Sequence, residues 1–533
     1  MRNPTFRFQL GFAKASVFMT FFVTLPYARA IDEIPNASEA AQLGLVIHWQ
    51  AQTERTQTGS GDTGIVLWPH TKLRNEVITI SVGDRVVERI NANDIDVSAS
   101  EKLVLTPGTG SKSTRMGIEI ARKQAEKIVA RYSKIGRTAK VDEFNQPITY
   151  LVAASNDGAI QALNAETGEL FWSASVGNYR LPTQGPGVND RFVTLTNGMN
   201  LYILDLVSGR VLGEKRLSES ASTVAQPIGS LVYVPGIAGS IHAFEGDDLN
   251  AEPISLRFSG TLTAPVVAAH SGNFVSWPNK NHLYIAQAGR RFTLWSRIES
   301  SSTFRTMPQL TNDGFIAVTT NGMVYRVNLN RTESIVWREN LAAQVSTPPL
   351  VANGLALVVS DTGTGYALDE KTGEVQWTAD LPDLKRTLAI TSTRVYAQRK
   401  AGQLVAIDRS SGKTIANLNR AFSIGIFNSV NDRIILQSAT GNLVCLREPD
   451  SVFPVMNVPM AAKSEVAKSD GKTMPADGGI PTIDMAPSPI VGDSIFGEPP
   501  KNDVAPAAMS DDPFAAPASN AKPAADPLNP FGT

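Results

Sequence analysis

Between residues 138 and 447 short apolar runs return at a nearly constant interval, each interrupted by a turn built around glycine. The clearest copy begins with Tyr150-Leu151-Val152-Ala153-Ala154, turns at Asn156-Asp157-Gly158, and continues through Ala162-Leu163-Asn164 to Thr167-Gly168 and Trp172. A second runs from Asp361-Thr362-Gly363 through Ala367-Leu368-Asp369 to Thr372-Gly373 and Trp377. A third carries Gly402, Ala406-Ile407-Asp408 and Ser411-Gly412. Weaker copies centre on Gly198, Gly239, Asn281, Gly322 and Gly441. The anchors 158, 198, 239, 281, 322, 363, 402 and 441 are separated by 40, 41, 42, 41, 41, 39 and 39 residues. Eight copies at a period near 40 predict a β-propeller of four-stranded blades.

Each repeated residue has a physical task. The Asn-Gly or Asp-Gly step supplies the positive φ that a tight hairpin needs. The next strand ends in Asn or Asp, whose side chain accepts hydrogen bonds from the turn that Thr-Gly completes. The Trp four residues beyond that glycine is expected on the outer strand, filling the gap between blades. After Gly441 only Leu443 to Leu446 remain as strand, so the eighth blade lacks its outer member. Leu43-Gly44-Leu45-Val46-Ile47-His48-Trp49-Gln50 has the character to supply it, with Leu43, Leu45, Ile47 and Trp49 expected on one face. The fold class is therefore all-β: an eight-bladed β-propeller of four-stranded blades whose ring is closed by the N-terminal strand within residues 31–54, leaving no exposed edge.

Residues 55–137 break the repeat and predict a small α+β insertion. It holds a strand pair, Val77 to Val82 and Arg85 to Ile90, turned by Gly83-Asp84. A helix from about Ser113 to Ile135 follows, with Ile118, Ala121, Ala125, Ile128, Val129 and Tyr132 at helical spacing and Gly136 as its stop. The opposite helix face is basic (Arg115, Arg122, Lys123, Lys127, Arg131, Lys134), but Glu119 and Glu126 interrupt it and no aromatics interleave, which describes a solvated face. The stretch Leu103 to Thr114 imitates a phosphate loop, yet Ser111 separates Gly110 from Lys112 and Leu105 stands where the first glycine belongs, so nucleotide hydrolysis is not expected.

Composition enters at the two ends. Arg2, Arg7 and Lys14, the apolar run Ala15 to Leu25 and the small residues around Ala28-Arg29-Ala30 read as a signal peptide over residues 1–30. Cleavage would leave an extracytoplasmic protein in the periplasm or cell envelope; an uncleaved signal would anchor it to the membrane. No Cys follows the apolar run to carry a lipid, and Cys445, in Leu443-Val444-Cys445-Leu446, reads as a buried core thiol. Residues 448–533 are rich in Pro, Ala, Ser and Asp, and read as a disordered acidic tail ending in short Pro-Phe units such as Asn529-Pro530-Phe531. The net charge of −1 gives no reason to expect nucleic acid.

The units Ala162-Leu163-Asn164-Ala165-Glu166-Thr167-Gly168-Glu169-Leu170-Phe171-Trp172 and Ala367 to Trp377 resemble the repeat of the pyrroloquinoline-quinone-like (PQQ-like) propeller family. That family includes quinone-dependent dehydrogenases and non-catalytic propellers, among them a subunit of the outer-membrane β-barrel assembly machinery. The dehydrogenases carry adjacent disulfide-bonded cysteines and insertions for their active site. This chain has one cysteine and repeats of 39–42 residues. The five histidines, His48, His70, His242, His270 and His282, show no metal-ligand spacing. No catalytic, cofactor-binding or metal-binding residue is assigned, and no cofactor. The expectation is a non-enzymatic, monomeric scaffold within a membrane-associated complex, whose partners are envelope or secreted proteins rather than a small-molecule substrate. The alternative is a PQQ-dependent dehydrogenase or small-ligand sensor.

Overall fold

A computed structural model describes residues 34–53, 64–92 and 117–457, apart from residues 84, 259, 271, 290–292, 331–333, 423 and 439. The signal segment, the phosphate-loop look-alike and the Pro-Phe units lie outside the described residues.

Among the described residues the strands form eight antiparallel sheets, seven of four strands and one of five. Sheet 1 contains β1 (Ile65–Val82), β2 (Arg85–Asn91), β3 (Ala139–Ala154) and the strands Ala159–Asn164 and Leu170–Ser175. Sheets 2 to 7 are sequential meanders over 183–216, 226–257, 267–299, 309–340, 350–378 and 384–421. Sheet 8 takes three strands from 424–447 and completes itself with Val46–Gln52, which pairs antiparallel with Asn442–Arg447. Each sheet shares a buried apolar cluster with the sheet before it and the sheet after it, and sheet 8 shares one with sheet 1. Cys445 sits fully buried in that last cluster, where burial pushes its thiol well above the ordinary value. The core-thiol expectation for it is met.

The joint between neighbouring sheets is built from the repeat motif. Trp49, Trp172, Trp337 and Trp377 lie on outer strands, each directly after a residue bulged out of the ladder. A bulge inserts one residue and reverses the alternation of side chains beyond it, so each indole turns toward the next sheet. There the ring covers Gly168, Gly209, Gly373 or Gly412 respectively, where an added Cβ would lie no more than 2.6 Å from it. These glycines also have φ between 69° and 80°, conformations that β-carbon-bearing residues rarely adopt. Each indole N–H donates to a backbone carbonyl of the same turn: Ala165, Leu206, Glu370 and Arg409, at 3.0, 2.7, 3.0 and 2.7 Å. The turn itself is held by its Asn or Asp, as where Asp369 Oδ1 accepts from the N–H groups of Lys371 and Thr372 at 2.9 Å each.

The same bulge corrects one expectation. Leu43, Leu45 and Ile47 pack toward sheet 7, but Trp49 packs toward sheet 1. The ladder shifts between Ile47 and Trp49, so the period-two reading of a single face fails there.

The segment 55–137 is joined to sheet 1 more intimately than an insertion requires. Ile65 to Pro69 pair with Thr149 to Ala153 and so supply the first strand of the propeller sheet. Beyond a register shift the same two strands continue, pairing Arg74 to Val82 with Ala139 to Pro147, and β2 adds a third strand. Helix α1 (Gly117–Lys134) covers one side of this extension through Ala121 and Ala125 against Ile78, Ile80 and Ile90. Its basic face is exposed, and Arg122 is paired with Glu143 at 2.8 Å and with Glu119 at 3.0 Å.

Replacing Trp377 by Ala removes a buried indole and is expected to cost about 3–5 kcal/mol in urea melts. Gly412→Ala should cost about 1–3 kcal/mol through backbone strain alone, with Trp377 displaced in addition. A melt unchanged by both substitutions would contradict the joint described here.

Candidate functional site

In a meander the turn between first and second strands and the turn between third and fourth emerge at one end; the second-to-third turn and the crossover to the next sheet emerge at the other. The first will be called the lower end and the second the upper end. The extension β1–β2–β3 with α1 leaves sheet 1 at the lower end, since β1 runs on past Pro69 in that direction.

The lower end of the joint between sheets 8 and 1 gathers the densest charge cluster of the molecule's described part. Glu166, in the Ala-Glu-Thr-Gly turn, accepts from Arg433 Nη2 at 3.0 Å and contacts His48 Nε2 at 3.0 Å and Arg89 Nη1 at 3.4 Å. Arg433 has a side chain only 1% exposed and also pairs with Asp432 at 3.1 Å. Arg447 Nε donates to His48 Nδ1 at 3.2 Å, so the other ring nitrogen, Nε2, carries the proton given to Glu166. Burial would raise the Glu166 pKa, but the His48 hydrogen bond and the charge and hydrogen bonds of Arg433 prevail and hold it at about 2. Residues from the N-terminal strand, the extension, sheet 1 and sheet 8 thus meet on one carboxylate.

The chain beyond sheet 8 is laid across this cluster. Ser451 Oγ donates to Asp432 at 2.5 Å, the Val452 carbonyl accepts from Arg433 Nη2 at 3.2 Å, and Val455 N donates to Asp432 at 3.1 Å. Phe453 packs against Phe144 with centroids 4.8 Å apart and the rings tilted by 33°, and the Arg89 guanidinium lies 4.8 Å over its ring. Composition alone assigned 448–533 to the tail; residues 448–457 are held on the propeller by these contacts. A single aromatic, Phe453, was the available signal.

The upper end carries exposed apolar side chains of its own. Tyr179 and Leu181 in the crossover from sheet 1 to sheet 2, Met199 in the sheet 2 hairpin and Ile237 in the sheet 3 hairpin are exposed there, Tyr179 by 69% and Ile237 by 53%. Leu181 lies against Gly198, and the Ile237 carbonyl accepts from Thr261 Oγ1 at 2.7 Å. These residues are distant in sequence and carry no motif, so the sequence reading did not single them out.

Of the remaining histidines, His70, His242 and His282 have structural partners. His70 is buried on β1 and its Nδ1 accepts from the N–H groups of Lys72 and Leu73 at 3.1 and 3.0 Å, with desolvation lowering its pKa. His242 bridges Glu219 at 3.0 Å and Ser255 at 2.7 Å, and His282 stands 3.9 Å from Glu299. Among the described residues no group of three or more His, Cys, Asp or Glu side chains converges as a metal site.

Repeated four-stranded antiparallel sheets joined edge to core in this way make the molecule a β-propeller of repeat type. The profile of the family described as outer membrane protein assembly factor BamB matches residues 156–252 and 279–447. The protein of that name from Shewanella oneidensis is 26% identical over 309 residues, covering 56% of this chain and 69% of its own length. The one from Moranella endobia is 24% identical over 268 residues, covering 44% and 68%. The crystal structure of BamB from Moraxella catarrhalis aligns with a TM-score of 0.47 at 17% identity, covering 56% of this chain and 93% of that one. The chain belongs to the PQQ-like repeat propeller family, and within it resembles BamB more than the quinoprotein dehydrogenases.

Glu166→Gln leaves Arg433 buried with one fewer negative charge, and should cost about 3–5 kcal/mol at pH 7. Because the Glu166 pKa is lowered on folding, its contribution is complete above about pH 4.5 and lost as the pH falls toward about 2. Urea melts at several pH values should therefore show a shallower acid loss in the variant than in the parent chain.

Proposed function

We propose that the chain is an extracytoplasmic, non-enzymatic scaffold: an eight-bladed propeller, closed by its N-terminal strand, that binds other envelope proteins in a membrane-associated complex. The observation that carries the reading is the set of apolar residues Tyr179, Leu181, Met199 and Ile237, presented to solvent by turns at the upper end of sheets 1 to 3. Exposed apolar side chains on turns at the same end of neighbouring sheets are consistent with a protein-binding surface. The relatives named as outer membrane protein assembly factors supply the kind of partner: components of outer-membrane protein assembly. The signal-like residues 1–30 support export, and residues beyond Asn457, with their Pro-Phe units, are read as a tail outside the propeller.

Closure is supported by the pairing of Val46–Gln52 with Asn442–Arg447 and by the cluster shared between sheets 8 and 1. Deleting residues 31–54 is expected to lower the melting temperature and broaden the transition in calorimetry; an unchanged melt would place closure elsewhere. For the partner, chemical cross-linking in the envelope followed by purification should recover outer-membrane assembly proteins in near-stoichiometric yield. Tyr179→Asp with Ile237→Asp should abolish that recovery while a chain ending at Asn457 retains it. Equal recovery with the doubly substituted chain would reject the upper end as the docking surface.

A further inference from the structure

At the lower end, away from the Glu166 cluster, the inner turns of sheets 4, 5 and 6 enclose a cavity of about 220 Å³. Its walls include His270, Thr311, Asn312, Asn353, Glu370 and Asn457. No Lys or Arg lines it. Glu370 is the one formal charge in the lining, and its side chain is only 15% exposed. Its ion-pair partner is Arg326 Nη2 at a long 3.7 Å, and that same nitrogen is committed to Asp313 at 2.7 Å. Burial raises the Glu370 pKa first of all; Arg326 offsets this only partly, and the Asp313 charge adds to it. The backbone of Glu370 is fixed independently, because its carbonyl holds the Trp337 indole at 3.0 Å.

A second observation concerns Asn457. Both the amide nitrogen and the amide oxygen of the Asn457 side chain are buried without a hydrogen-bond partner among the described residues. A buried amide left without partners is costly. Desolvation lowers the His270 pKa, so its imidazole is neutral at pH 7 and has a ring nitrogen free to accept. The wall thus offers a weakly compensated carboxylate and neutral acceptors, and no competing cation.

We propose that this cavity binds an alkylammonium group, with Glu370 as counter-ion and the Asn457 amide oxygen as a second acceptor. An ammonium carries three donors and no acceptor, which matches such a lining, and the volume admits an aminoalkyl chain of lysine size. The ammonium can arrive on a lysine side chain of a partner protein or as a small free amine. The inference is independent of the scaffold reading, since it concerns a pocket at the opposite end from Tyr179 and Ile237.

Calorimetric titration of the full chain with 1,5-diaminopentane and, separately, with Nα-acetyl-lysine methylamide tests it. At least one is expected to bind with a stoichiometry of one. Glu370→Gln should weaken it at least tenfold, and Asn312→Lys, which adds a tethered ammonium to the lining, should abolish it even if the first variant is unstable. Binding of the diamine alone would identify a free amine as the source, and binding of the lysine derivative alone a partner's lysine. No heat with either ligand on the parent chain, or binding equal in parent and Asn312→Lys, overturns the proposal.

Discussion

The seating of an indole from one sheet on a bare glycine of the next is the contact on which the rest of the arrangement depends. A four-stranded sheet has two faces to cover and cannot cover either alone. The apolar clusters provide the driving force, but they are non-directional and would tolerate sliding. The indole N–H to carbonyl bond and the absent Cβ fix position and angle. Trp49 to Gly168, Trp172 to Gly209, Trp337 to Gly373 and Trp377 to Gly412 repeat the arrangement with hydrogen bonds of 2.7 to 3.0 Å. Where the indole is absent, as at Gly213 on the outer strand of sheet 2, an aliphatic residue, Leu249, approaches instead.

Much of this was legible because the motif is local. The spacing of Asn or Asp, Thr-Gly and Trp encodes a turn, a bare surface and a ring within about ten residues, and the period repeats them. The N-terminal strand was legible for the same reason: Trp49 is a motif residue without its motif. What the sequence reading lost were events set by pairing rather than by residue type. The bulge at His48 reverses a face without any compositional mark. Residues 65–69 look like part of an insertion until their register with 149–153 is known. Asp450 to Asn457 have tail-like composition, yet Phe453 finds Phe144 and Arg89, which lie more than 300 residues earlier.

The candidate sites divide the same way. Glu166 belongs to the repeat and its position in a turn was readable, but its partners His48, Arg89 and Arg433 come from three separate regions. The Glu370 cavity is assembled from turns of three sheets and two residues near the end of the described chain, Met456 and Asn457. The two ends of the strands also differ chemically. The lower end holds the Glu166 cluster and is partly covered by the chain's own extension and by residues 451–457, whereas the upper end carries the exposed side chains of Tyr179, Leu181, Met199 and Ile237.

The pairing of Val46–Gln52 with Asn442–Arg447 has a consequence in time. A ribosome delivers residue 46 first, and its ladder partner arrives about four hundred residues later. Loop closure over that distance adds only a slowly growing entropic term, but such non-local pairing slows the final step of folding. Throughout that wait Val46–Gln52 has no ladder partner, although Gly168, on which the Trp49 indole seats, has already been made. Synthesis interrupted anywhere short of the last repeat would leave both edges open, so a truncated chain advertises its incompleteness to proteases and chaperones at both ends.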